Sequence, residues 1–247
     1  MGEKGEHQKK AVVILSGGLD STTCMGIARE EGYEIYPITF DYGQRHRIEI
    51  ENARKVAKHY GVEDRHQVIS LGFLREFGGS ALTDDAIEVP NVVDADEASA
   101  TPSGITASDI PVTYVPGRNL LFLSIAASFA EASRAEAIYI GVNALDYSGY
   151  PDCRPEFIRK VEDVIAAATK TGVEGRPISV KTPLINWTKA EIIREGMRLG
   201  VPYALTTSCY NGREEACGVC DSCRLRLKGF AEAGHIDPVP YERRARR

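Results

Sequence analysis

The sequence reads as an α/β fold, a doubly wound, mostly parallel sheet with helices on both faces. Two observations point there. Apolar runs and segments of helical period alternate from Ala11 to Gly200, and strand–helix alternation of this kind builds a parallel sheet covered on both sides. The first apolar run, Ala11–Leu15, also passes straight into Ser16-Gly17-Gly18-Leu19-Asp20-Ser21, a glycine turn between a buried strand and a helix. At 247 residues, 43% hydrophobic and 26% charged, the chain has the material for a real core.

In order along the chain, strands are expected at 11–15, 34–40, 65–71, 137–141 and 178–182. Helices are expected at 21–31, 47–60, 119–133, 155–170 and 189–199. Asp20 and Ser21 are residue types that cap helices, as is Asn119 ahead of the most apolar helix. Around the last helix the local signals agree. Thr188-Lys189-Ala190-Glu191 is a capping box, Trp187 is placed to staple onto Ile192, and Gly200 sits where a helix end wants a left-handed residue. Trp187 is therefore read as a packing residue rather than a ligand platform. Residues 72–114 carry no sustained period and are rich in Asp, Ser, Thr, Ala and Pro, as a functional lid or a disordered loop would be. The expected organisation is a tail (1–10), an α/β domain (11–200) and a small C-terminal helical region (201–247).

The glycine turn aims unpaired amides and the positive end of a helix dipole at one point, a place for the phosphates of a nucleotide. An ordinary capped turn has the same residues. The pattern matches neither the Walker nor the dinucleotide-binding glycine motif. In the C-terminal region Cys209, Cys217, Cys220 and Cys223 fall within fifteen residues. Four thiolates close the tetrahedral shell of a structural zinc site. An iron–sulfur cluster and a dithiol redox pair share the Cys-x2-Cys element, and spacing and context favour zinc. Cys24 and Cys153 are read as free thiols.

Three further segments follow strands or open helices. Asp41–Arg47 places Arg45 and His46 where they suit a nucleotide or a leaving pyrophosphate, and equally where a solvated loop has them. Arg118, just ahead of a helix, is open to the same two readings. Gly141–Arg154 mixes tyrosines, carboxylates and an arginine in a glycine- and proline-shaped loop, favouring a pocket for a guanine-like heterocycle.

Composition excludes other classes. A net charge of −5 and a pI near 5.6 argue against a broad nucleic-acid footprint, and the basic run Arg243–Arg247 reads as a solvated tail. The start has no apolar region for a secretory signal, and Glu6 does not suit N-myristoylation. No apolar stretch is long enough to span a bilayer. A cytoplasmic protein that acts on neither membrane nor nucleic acid is expected.

Together the motifs resemble the 7-cyano-7-deazaguanine synthase family, a branch of the PP-loop ATP pyrophosphatases in queuosine biosynthesis. The residues that carry the resemblance are 16–24 (Ser-Gly-Gly-Leu-Asp-Ser-Thr-Thr-Cys), 40–46, 115–119, 146–154 (Asp-Tyr-Ser-Gly-Tyr-Pro-Asp-Cys-Arg), 182–184 and 209–212 with the downstream cysteines. The resemblance implies an ATP-dependent carbon–nitrogen ligase, a homodimer, that makes the 7-cyano compound from 7-carboxy-7-deazaguanine and ammonium by adenylating first the carboxylate and then the amide. It implies ATP binding at Leu15, Ser16, Gly17, Gly18, Leu19, Asp20, Ser21, Thr22, Thr23, Cys24 and Met25, with Mg2+. Asp20, Arg45, His46 and Arg118 would be catalytic. Asp146, Tyr147, Tyr150, Asp152 and Arg154 would hold the deazaguanine, and the four cysteines zinc. Two features depart from the family pattern, a long polar connector over 86–110 and Leu145 ahead of Asp146. The rival readings are a PP-loop tRNA-modifying enzyme of the thiolation type and a non-catalytic nucleotide-binding zinc protein.

Overall fold

The computed structural model describes residues 8–44, 48–84, 86–89, 110–145 and 149–242. Five parallel strands form one sheet: β1 (Lys10–Ile14), β2 (Glu34–Asp41), β3 (Gln67–Ser70), β4 (Ala137–Tyr139) and β5 (Ser179–Lys181). Their order is β3-β2-β1-β4-β5. The helices are α1 (Leu19–Glu30), α2 (Ile48–His59), α3 (Leu74–Phe77), α4 (Arg118–Ser133), α5 (Pro155–Ala168), α6 (Lys170–Val173), α7 (Lys189–Arg198) and α8 (Asp221–Glu232).

β1 is central, paired on one side with β2 and on the other with β4. Burial on both faces explains its unbroken apolar sequence. Successive side chains alternate between two cores. Val12 and Ile14 join Phe40, Phe122, Leu123 and Ile158 against α4 and α5. Ala11, Val13 and Leu15 join Met25, Val56, Ile192 and Phe230 against α1, α2, α7 and α8. Helices therefore cover both faces, as expected. α8, which carries two of the cysteines in or just before its first turn, contributes Phe230 to the second core, so the C-terminal region shares the core of the α/β domain.

All five expected strands and five expected helices form, with ends shifted by a few residues. Two cap assignments are corrected. α1 starts at Leu19 with Gly18 as its cap, and Asp20 and Ser21 lie inside its first turn. α4 is capped by Gly117, whose φ of 65° is left-handed, and Asn119 lies inside the helix. The α7 capping box forms as read, with the Glu191 amide bonded to Thr188 Oγ1 and Glu191 Oε2 accepting from the Thr188 amide. Trp187 packs on the same core as Ile192, and Gly200 has φ 68°. Residues 85 and 90–109 of the expected lid, which take in most of the connector over 86–110, lie outside the described residues. Its described edges turn inward: Ala81 donates to the Val112 carbonyl at 2.8 Å, and Ala81 and Leu82 are buried. No helix among the described residues is long and apolar enough to cross a membrane.

Candidate active site

The strand order makes the site. From β1 the chain winds outward to β2 and β3, then crosses back to β4 and winds the other way, so a crevice opens beyond the carboxyl ends of β1 and β4. Gly17-Gly18 turns there. Gly17 has φ +82°, and a methyl group on it would run into the Glu49 carbonyl and the Ala53 amide of α2. Gly141, after β4, is also closely packed, and a methyl group on it would stand 3.0 Å from the Asp20 carbonyl carbon and the Ser21 amide nitrogen. The amides of the first turn of α1 have no intrahelical acceptor and face this opening with the dipole behind them. Ser21 Oγ accepts from the Ser16 amide at 3.1 Å, and Ser16 Oγ accepts from the Gly18 amide at 3.2 Å. The loop is thus already folded into a cradle.

A cavity of about 320 Å³ lies over this turn, and its wall includes Leu15, Ser16, Gly18, Leu19, Asp20 and Ser21. The rest of the segment expected at ATP serves the helix. Gly17 is turned toward α2, Thr22 Oγ1 donates to the Gly18 carbonyl, Thr23 Oγ1 bonds Tyr203, and Cys24 and Met25 are core residues with no exposed surface.

Lys189, which the sequence presented only as part of a capping box, enters the cavity from the start of α7. Its ammonium is 2.9 Å from both Asp20 oxygens, with side-chain exposures of 13% and 28% for the two partners. A cation with little surface in water is thus held at the cavity wall on the carboxylate in the first turn of α1.

The opposite wall is aromatic. Arg118 lies 5.6 Å over the Tyr42 ring and 5.8 Å over that of Tyr150, and its Nη1 donates to Tyr42 Oη at 3.3 Å. Burial opposes the charge of Arg118, but Tyr42, Tyr150 and Asp152 outweigh it and raise its pKa above the ordinary value. Burial likewise pushes Tyr42 up to about 12, so it stays a neutral phenol. Tyr150 also donates to Thr113 Oγ1 at 2.8 Å, fixing its ring.

Of the other residues expected at the heterocycle, Asp152 is buried behind this wall. Its Oδ2 accepts from the Asn119 amide at 3.0 Å while Oδ1 has no hydrogen-bond partner among the described residues, and burial raises its pKa. Arg154 is exposed and off the cavity wall. Arg45, His46, Asp146 and Tyr147 lie outside the described residues.

Cys209, Cys217, Cys220 and Cys223 are all buried, with their sulfurs within 4.8 Å of one another. Backbone amides support them, Cys217 N–H toward Cys209 Sγ and Cys220 N–H toward Cys217 Sγ, both at 3.4 Å. Four converging thiols with amide donors around them fit a metal ion, and the shell leaves no place for a substrate. Next to it Arg226 is bonded to Asp237 at 2.7 and 3.0 Å, each side chain 2% exposed, and to Thr206 Oγ1 and the Tyr203 carbonyl.

A family model described as queuosine biosynthesis protein QueC matches residues 10–234. A 7-cyano-7-deazaguanine synthase of Oceanobacillus iheyensis is 58% identical, over 94% of this chain and 98% of the relative. Those of Acetivibrio thermocellus and Saccharophagus degradans are 54% and 57% identical, over 96% and 94% of this chain and 99% and 98% of theirs. Among solved structures, a 4-thiouridine synthetase with bound RNA and ATP aligns over 92% of this chain and 50% of its own at TM-score 0.47 and 19% identity, too distant to inform function. With matches at this identity along nearly its whole length, and with the glycine turn and four-cysteine cluster in place, the chain belongs to the 7-cyano-7-deazaguanine synthase family of queuosine biosynthesis.

Proposed function

We propose that this enzyme converts 7-carboxy-7-deazaguanine, ammonia and ATP to 7-cyano-7-deazaguanine by two successive adenylations. The observation that carries the reading is one cavity with a phosphate cradle, Ser16 to Ser21, on one wall and the Tyr42–Arg118–Tyr150 stack on the other. A nucleotide and a planar heterocycle have adjoining places there.

In the first half-reaction a carboxylate oxygen attacks the α-phosphorus of ATP, and the bond to the β-phosphate oxygen breaks to release pyrophosphate. Ammonia adds to the acyl adenylate, AMP leaves and a proton is lost, giving the amide. In the second, the amide oxygen attacks the α-phosphorus of a second ATP and pyrophosphate leaves, and the adenylated amide then loses AMP and both protons of its nitrogen to give the nitrile. The residues act mainly by position and charge. The first-turn amides with Ser16, Gly18 and Ser21 hold the pyrophosphate, and Lys189 and Arg118 neutralise charge that develops on the phosphates, a role also assigned to Arg45 and His46. Tyr150 stacks on the base, and Asp146 and Tyr147 are assigned to its polar edge, while Asp152 supports the start of α4 behind the wall. Mg2+, held through Asp20 and the phosphates, would supply further charge neutralisation. Zinc on the four cysteines has a structural part, and free ammonium is the nitrogen donor. The active form is a homodimer in the cytoplasm.

The test is to incubate the protein with Mg2+-ATP, ammonium and 7-carboxy-7-deazaguanine. The nitrile is expected by mass spectrometry, with AMP formed only when the carboxylate is present. Absence of substrate-dependent AMP overturns the reading.

A further inference from the structure

Gly229 lies in the interior of α8, where glycine is a poor helix former. The reason for it is on the neighbouring helix. A methyl group at 229 would meet Lys189 Cγ at 2.5 Å, Lys189 Cβ at 2.9 Å and Ile193 Cδ1 at 3.0 Å. The stem that passes this bare patch of backbone continues to the ammonium that sits 2.9 Å from both oxygens of Asp20.

We propose that Gly229 is a positioning residue of the ATP site, setting Lys189 on Asp20 by letting α7 and α8 approach at the level of the lysine stem. The proposal rests on the reading that the cavity takes ATP.

Neither side of this contact is free to yield. Lys189 leaves from the capped first turn of α7, which the Thr188–Glu191 box fixes. α8 is held at its start by Cys220 and Cys223 and in its middle by Arg226, whose guanidinium is bonded to Asp237, Thr206 and the Tyr203 carbonyl. With both helices braced, the Cγ contact of an added methyl is relieved by turning the lysine stem and the Cβ contact by a few tenths of an ångström of helix shift, and both move the ammonium. Displacement of a positioned charge by about 1 Å is enough to weaken what it binds. The cysteine cluster, Gly229, Lys189 and Asp20 so form one mechanical series from the metal knuckle to the phosphate cradle.

The experiment is a double-mutant cycle on the full-length, metal-loaded protein, read as the Kd for Mg2+-ATP by calorimetry alongside thermal melting. Gly229→Ala is expected to weaken ATP about tenfold with a melting temperature close to that of the wild type. Lys189→Ala removes the Cγ that the methyl meets. In that background Gly229→Ala is expected to change Kd less than about twofold, since the interaction it disturbs is already gone. An equal loss in both backgrounds, or no loss in the wild-type background, overturns the proposal. Adding Ile193→Val removes the other contact and also gives a variant to measure if Gly229→Ala alone does not fold. The loss is expected to persist in Gly229→Ala/Ile193→Val, and full recovery would assign the effect to Ile193 and overturn the role of Lys189. If the wild type itself does not bind Mg2+-ATP, the ATP reading falls first and the proposal with it, a result distinct from an unresponsive Gly229.

Discussion

The amide of Thr207 donates to the carbonyl of Gly17 at 3.1 Å. Two residues farther on is Cys209, the first thiol of the buried cluster, so the backbone that leads into the four cysteines is bonded to the glycine turn. Loss of the metal is therefore expected to be felt at the phosphate cradle as well as in the fold. Cys220→Ser should lose bound metal and melt at least about 10 °C lower, the scale expected when a structural metal site goes. At temperatures where it stays folded it should also bind ATP more weakly. Metal content by mass spectrometry, melting and calorimetry check this, and unchanged metal and stability would refute a structural site.

Gly17 and Gly200 both have left-handed φ, +82° and +68°, but they differ in what surrounds them. Beyond Gly200 there is open space, whereas at Gly17 a methyl group faces the α2 backbone, 2.7 Å from the Ala53 amide. Gly200→Ala should cost about 1 kcal/mol, the strain of the conformation alone. Gly17→Ala should cost several times as much or prevent folding, because backbone rather than a side chain has to move. Chemical denaturation of the two variants side by side makes the comparison.

How much of this was legible in the sequence follows the reach of each signal. β1 and its glycine turn were readable because both are local, a continuous apolar run and then residues suited to tight backbone. The capping box of α7 was readable for the same reason, and that hid its second use: Lys189 is a cap neighbour by sequence and a partner of Asp20 only through a contact 169 residues away. Asp20 and Ser21 have the residue types of caps as well as of a phosphate site, and Gly18 takes the capping place while both residues line the cavity. The cysteine cluster was legible from spacing alone. The Arg226–Asp237 pair carried no motif, and only the packing of α8 against the chain that follows it brings the two together.

Among the described residues Asp20 has one side-chain cation on it, Lys189 at 2.9 Å, and it retains 28% exposure at the cavity wall. Its removal should therefore affect chemistry far more than folding. Asp20→Ala is expected to reduce AMP formation at least about a hundredfold, with a melting curve near that of the wild type. AMP release and circular dichroism on the same preparation measure both. A collapse of stability in place of a loss of turnover would make Asp20 a structural residue.

Arg226 and Asp237 present the opposite case, since both are almost fully buried and Tyr241 Oη adds a third bond to Asp237 at 2.6 Å. Removing one partner strands a charge away from water. Asp237→Ala should destabilise by about 3 to 5 kcal/mol, measured by denaturant unfolding, and should loosen the cysteine knuckle that Arg226 braces.

His66 gives the pH dependence. Its Nε2 lies 2.7 Å from Thr39 Oγ1, and the Thr39 hydroxyl donates in turn to the Leu15 carbonyl at the end of β1. With that proton committed to Leu15, Nε2 carries the proton of a neutral ring and donates to Thr39. Burial first, and then the charge of Arg54, lower the pKa of His66 to about 4 from 6.5. The unfolded chain thus binds this proton more readily than the folded one between those values, and stability rises with pH across the interval. The contribution is fully present above about pH 6.5 and is lost as pH falls toward 4. His66→Gln, which keeps a donor without the titration, should flatten the dependence of unfolding free energy over that interval. Denaturant titrations from pH 4 to 7 compare the two proteins, and an unchanged slope in the variant would show that other groups govern acid sensitivity.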